Sequence, residues 1–174
     1  MSRYTRPKVS GATVFFTVAL ADRRSDLLVR EIDHLRAAVR VTLAEHPFSI
    51  DAWVVLPDHM HCLWTLPETD ADFSVRWKKI KSRFTKFVDR TGPRSSSKVA
   101  KGEAGIWQRR FWEHHIRDER DLMTHLHYCW WNPVKHGFVE RPVEWAHSSI
   151  HRDVRLGRAE PEWSGAGVDG AFGE

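Results

Sequence analysis

The sequence predicts an α+β fold of the ferredoxin-like, split βαβ type. Three observations carry this. Short runs rich in β-branched and aromatic residues alternate with segments of 3.6-residue apolar period, in the order strand, helix, strand, strand, helix, strand, helix. The first six elements are those of an antiparallel sheet with two helices on one face. The chain of 174 residues, 41% hydrophobic and 29% charged, is long enough to bury one core without disulfides.

Residues 13–20 form the first strand. Ser25 or Asp26 caps the helix that follows, whose apolar positions Leu28, Ile32, Leu35, Val39 and Leu43 share one face, and Pro47 closes it. Residues 50–56 and 59–66 are two strands joined through Pro57-Asp58, an antiparallel hairpin. Phe73, Trp77, Ile80, Phe84, Phe87 and Val88 stripe the second helix. The Gly-, Ser- and Lys-rich stretch at about 91–106 is expected to be a mobile loop. A fourth strand is placed at 107–117, and a third helix from about 119 to 132, where Pro133 biases Asn132 away from helical dihedrals. This extra helix is free to cover the opposite face of the sheet. Residues 1–156 form one domain. Residues 157–174, with five of the ten glycines and a net charge of −3, are expected to be a disordered tail.

Composition narrows the function. Two cysteines, Cys62 and Cys129, exclude a disulfide scaffold, and no apolar run is long enough to span a bilayer. The basic start followed by an uncharged stretch imitates a secretion signal, but Ser10, Gly11, Thr13 and Thr17 interrupt it and a buried strand explains it better. A cytoplasmic protein with reduced thiols is expected. The pI of about 9.3, with 11 His and 9 Trp, suits nucleic acid: cations meet phosphates, rings stack on bases, and imidazoles hold metal.

Pro57-Asp58-His59-Met60-His61-Cys62-Leu63-Trp64 carries the first chemical signal. Alternate residues of a strand share a face, so His59 and His61 project together, about 7 Å apart along the backbone, while Met60, Cys62 and Trp64 enter the core. Two imidazoles so placed can bind one divalent metal, or can simply sit on a wet sheet face. On the third helix Tyr128 and Asn132 lie four apart and share a face with His125 and Asp121. Tyr128 is either a packing residue or a nucleophile; the chain's other tyrosine, Tyr4, lies in a basic arm. The second helix displays Arg76, Lys78, Lys79, Lys81, Arg83 and Lys86, with only Asp89 as an acidic counterpart nearby. Such a face is either solvated or binds phosphate, and Arg109 and Arg110 add to it.

The three motifs PDHMHCLW, WQRRFWEHHIRDERD and HYCWWNPVKHGFV, in this order and spacing, resemble those of the REP-associated tyrosine transposases, members of the single-tyrosine HUH transposase superfamily. The resemblance covers about residues 12–152. It implies that His59 and His61 are metal ligands, that Tyr128 is the nucleophile and that Asn132 completes the metal site, with Mg²⁺ or Mn²⁺ as the ion. It implies metal-dependent nicking and strand transfer on single-stranded, hairpin-forming REP-like DNA through a 5′-phosphotyrosine, in the nucleoid. The first strand lacks the family's polar, Arg-Gly-like ending, so no ligand role is carried to that end. Two rivals stand beside this reading: a non-catalytic RNA- or DNA-binding module that stacks bases on an open sheet, and a metal phosphoesterase that uses water.

Overall fold

The computed structural model describes residues 7–88, 105–165 and 172–173. The expected loop lies outside them up to residue 104, as do Tyr4 and Asp89. Strands β1 (Thr13–Ala19), β2 (Ser49–Val55), β3 (His59–Thr65) and β4 (Trp112–His115) form one sheet in the order β2-β3-β1-β4. Every neighbouring pair is antiparallel, as the split βαβ reading requires.

The pleat of β1 and β3 sorts the core into two halves. Val14, Phe16, Val18, Met60, Cys62 and Trp64 point to one side and pack beneath helices α2 (Ile32–Glu45) and α3 (Phe73–Phe87). Trp64 and Trp77 stack there with centroids 4.3 Å apart. Phe15, Leu63, Ala52 and Val54 point to the other side, under helix α4 (Glu119–Lys135) through Tyr128 and Cys129. Both faces of the sheet are therefore covered. Asp72 and Asp118 start α3 and α4 by accepting from Val75 N (3.0 Å) and Asp121 N (2.8 Å); each such cap contributes about 1 kcal/mol.

Four expectations need correction. The first helix is two: a short α1 (Leu27–Arg30) and α2, divided at Glu31. Regular pairing of the fourth strand is confined to Trp112–His115, with one isolated bridge, Leu20–Trp107, before it and Gln108 N still donating to Ala19 O; Arg109 and Arg110 are exposed and lie outside the paired strand. α4 does not stop before Pro133 but runs through it to Lys135. Proline's ring opposes the helical form of the residue before it without forbidding it, and Asn132, Pro133 and Trp130 are all buried by packing that holds the turn. Gly137, at φ +73°, then ends the helix in the left-handed form that glycine adopts without strain.

The fourth concerns only the described residues of the tail, 157–165 and 172–173. After α5 (Ile150–Arg155), Trp163 packs on His127 and Trp130 of α4, at 5.0 and 5.5 Å between ring centroids. Phe172 is buried against Tyr128. The segment 141–149, to which the sequence gives no physical role, covers the outer edge of β2: Val55 N donates to His147 O, and Ser149 N to Trp53 O. That removes an open strand edge.

Candidate nuclease site

Central strand β3 places His59 and His61 on the face that α4 covers, and both are buried. Their rings lie 5.0 Å apart at 85°. Each Nδ1 has a defined partner. His59 Nδ1 stands 2.8 Å from Asp58 Oδ1, and Asp58 is in turn held by Arg23 at 2.6 Å. His61 Nδ1 stands 2.9 Å from Thr17 Oγ1. The Thr17 hydroxyl donates its proton to the Phe172 carbonyl, so it accepts from His61, and His61 Nδ1 carries the hydrogen. Both rings are thereby the Nδ1–H tautomer with the lone pair on Nε2. Burial pushes the His59 imidazole below its ordinary range, against the pull of Asp58, which favours the neutral, ligating form.

His59 Nε2 is buried and makes no hydrogen bond. A buried nitrogen with an uncompensated lone pair is costly unless something occupies it. Two neutral imidazoles presenting Nε2 from one strand face are a pair of donors that fits a divalent ion.

Tyr128 projects from α4 to within 5.1 Å of the His61 ring, at 73°, and is 2% exposed. Asn132 follows one turn later on the same helix face and is fully buried. The helix thus brings Tyr128 to the histidine pair, with Asn132 one turn further along the same face.

Four features of the site escaped the sequence. Lys135 Nζ donates to Tyr128 Oη at 2.9 Å. The His136 ring lies 5.1 Å from that of His59. Thr17 sets the His61 tautomer, and the Phe172 ring stacks on Tyr128 at 3.5 Å between centroids and 13° between planes. A seven-residue offset puts Lys135 on the face of Tyr128, but only in a helix that continues through Pro133.

Next to the site, ligand atoms of His114, Asp121 and His125 lie within 4.8 Å of one another, a spacing that a metal could also use. As they stand they hydrogen-bond: Asp121 Oδ2 accepts from His114 Nε2 (2.8 Å) and Arg117 Nε (3.0 Å). Burial alone would raise the Asp121 carboxyl, yet Arg117 and His114 hold it below the usual carboxylate range.

The basic helix stands apart from the histidines and Tyr128. α3 lies beneath one face of the sheet and α4 beneath the other. Arg76 is not available to phosphate: it is 1% exposed and donates to Pro47 O, Asp72 O and Asp70. Lys79 and Arg83 meet Glu45 of α2 at 2.7 and 2.5 Å. Lys81 donates to Gln108 O and lies over the rings of Trp107 and Phe111. Lys78, Lys86, Arg109 and Arg110 are exposed. Arg109 and Arg110 lie three and two residues before edge strand β4.

Comparison with known proteins gives the family of the chain. The family model described as "Transposase IS200 like" matches residues 10–129. A REP-associated tyrosine transposase of Escherichia coli strain K12 is 47% identical over 174 residues, covering 100% of this chain and 98% of that protein. A Haemophilus influenzae relative is 42% identical over 166 residues, 95% of this chain and 94% of its own length. A solved structure of a REP-associated tyrosine transposase bound to a REP hairpin matches with a TM-score of 0.86 and 46% identity, covering 100% of this chain and 98% of that one.

Proposed function

The chain belongs to the family of IS200-like transposases, and from that membership we propose that it cuts and rejoins single-stranded DNA at hairpin-forming, REP-like repeats, with Tyr128 as nucleophile. The observation that carries the reading is the convergence of Tyr128 and two Nε2-presenting histidines in one buried site. The relative solved with a REP hairpin supports the substrate class. Such work places the protein with cytoplasmic DNA, and among the described residues no helix is long and apolar enough to cross a membrane.

Tyr128 Oη attacks the scissile phosphorus as the bond to the 3′-oxygen breaks. The phenol gives up its proton and the departing oxygen gains one. The products are a 5′-phosphotyrosine and a free 3′-OH. Because the phosphodiester is exchanged rather than hydrolysed, attack by a 3′-OH reverses the step without ATP. When bound by His59, His61 and Asn132, Mg²⁺ or Mn²⁺ supplies positive charge that polarises the phosphate. Asp58 and Thr17 hold the two rings in the orientation this needs. Lys78, Lys86, Arg109 and Arg110 bind the DNA backbone as it rounds the β4 edge.

A module that stacks bases on an open sheet has no such surface here, because both faces carry helices. The test is to incubate a single-stranded hairpin oligonucleotide with the protein and Mn²⁺ and resolve the products on a denaturing gel. Cleavage is expected, with loss in EDTA and in His59→Ala and His61→Ala, while both variants still bind the hairpin. Undiminished cleavage by the two variants would contradict the metal role.

A further inference from the structure

We propose that Lys135 is a catalytic residue of the strand-transfer reaction: its ammonium holds the attacking Tyr128 oxygen and then neutralises charge on the phosphate joined to it. The inference rests on the proposed role of Tyr128 and adds to it a second group at the reacting atom.

The position of Lys135 follows from the helix that continues through Pro133. Seven residues at 3.6 per turn return almost to the starting face, so the Lys135 side chain reaches back along α4 over Tyr128. Nζ lies 2.9 Å from Oη and 4.9 Å from the centre of the phenol ring. The two residues differ in exposure: the phenol is 2% exposed, whereas Lys135 is exposed. A cation placed on a buried oxygen from the solvent side marks the direction from which a phosphate can arrive.

The chemistry has a use for a cation there. As the Oη–phosphorus bond forms and the bond to the 3′-oxygen breaks, negative charge moves from the phenol oxygen onto the phosphate and the leaving oxygen. A phosphate bonded to Oη brings its non-bridging oxygens within reach of a donor already hydrogen-bonded to Oη. A lysine ammonium has three donors, so it can keep one on Oη and turn another to the phosphate. In rejoining, the phenol oxygen is the leaving group, and the same ammonium stabilises its departure. Lys135 stays protonated throughout and takes part in no net proton transfer. Groups aimed at charge that develops only in the transition state change the rate rather than the affinity.

The test uses the full-length protein, a single-stranded hairpin oligonucleotide and Mn²⁺, under single-turnover conditions with protein in excess. Lys135→Met keeps the length of the side chain and removes the charge; Lys135→Arg keeps the charge. Loss of one such donor typically slows chemistry by about 10²–10³. Lys135→Met is therefore expected to cleave about a hundredfold more slowly and to rejoin a purified covalent adduct more slowly by a similar factor. Its hairpin affinity, read by fluorescence anisotropy, should stay within about threefold of wild type, and its melting temperature should not change. Lys135→Arg should recover a substantial part of both rates. Wild-type cleavage by Lys135→Met, with Tyr128→Phe inactive, would overturn the role of Lys135 and leave Tyr128 standing. A cleavage loss fully accounted for by weaker hairpin binding would also overturn it. Cleavage by Tyr128→Phe would instead overturn the reading of the site beneath it.

Discussion

Thr17 Oγ1 stands 2.9 Å from His61 Nδ1 across the β1–β3 ladder, and the same hydroxyl donates to the Phe172 carbonyl. One side chain thus fixes the tautomer of a proposed metal ligand and holds Phe172. Thr17→Val keeps the shape and removes the acceptor. It should raise the Mn²⁺ concentration needed for half-maximal cleavage about 10- to 100-fold, the usual effect of losing a partner behind a ligating histidine. Titration of cleavage against Mn²⁺ reads this out, with Thr17→Ser expected to behave as wild type. An unchanged midpoint in Thr17→Val would show that the ring is held by packing alone.

Phe172 covers one face of Tyr128 at 3.5 Å between ring centroids. An aromatic pair contributes about 0.5–1.5 kcal/mol beyond its buried area, so uncovering the phenol should be easier without it. Phe172→Ala is predicted to raise the single-turnover cleavage rate about two- to tenfold at unchanged hairpin affinity. A slower variant would mean that Phe172 braces the nucleophile.

Arg76 is a structural residue. It is buried itself, its partner Asp70 is about a third exposed, and a hydrogen bond from a charged group contributes about 1.5–3 kcal/mol. Arg76→Ala should lower the melting temperature markedly, while the folded fraction binds the hairpin as wild type does. Weaker binding without loss of stability would return Arg76 to the DNA surface.

Among the remaining cations of α3, Lys79 already faces Glu45, whereas Lys78 and Lys86 have no ion pair among the described residues. The Glu45 carboxyl is held down to about 2 by Lys79 and Arg83, so this pairing persists at neutral pH. Each phosphate contact adds about 0.7–0.9 to the slope of log affinity against log salt. The double variant Lys78→Ala, Lys86→Ala should therefore flatten the slope by more than Lys79→Ala does. Equal slopes would move the DNA path off this helix.

Short-range periodicity made much of this molecule legible. Alternation along residues 59–64 put the two histidines on one side and Met60, Cys62 and Trp64 on the other, as the core shows. The i, i+4 spacing placed Tyr128 and Asn132 together. What stayed hidden depends on distant contacts or on a local rule that packing overrides. Pro133 argued for a helix end and so concealed Lys135. Phe172 meets Thr17 across 155 residues of sequence, a distance no local pattern reports. The acidic counterpart of Lys79 and Arg83 comes from a different helix. Arg76 was readable after all: it lies three residues from Phe73 and four from Ile80, within the apolar stripe that faces the core.

The central claim is that Tyr128 itself becomes joined to DNA. After incubation of a 5′-extended hairpin oligonucleotide with the protein and Mn²⁺, the SDS-resistant complex is digested with protease and the DNA-bearing peptide sequenced by mass spectrometry. The account predicts one modified residue, Tyr128, carrying the DNA through its 5′-phosphate, and no complex and no cleavage with Tyr128→Phe. Loss of a single oxygen leaves the ring to pack as before and costs at most about 1–3 kcal/mol, so that variant should still fold and bind the hairpin. Cleavage by Tyr128→Phe that leaves a free 5′-phosphate would show that water is the nucleophile and would contradict the account.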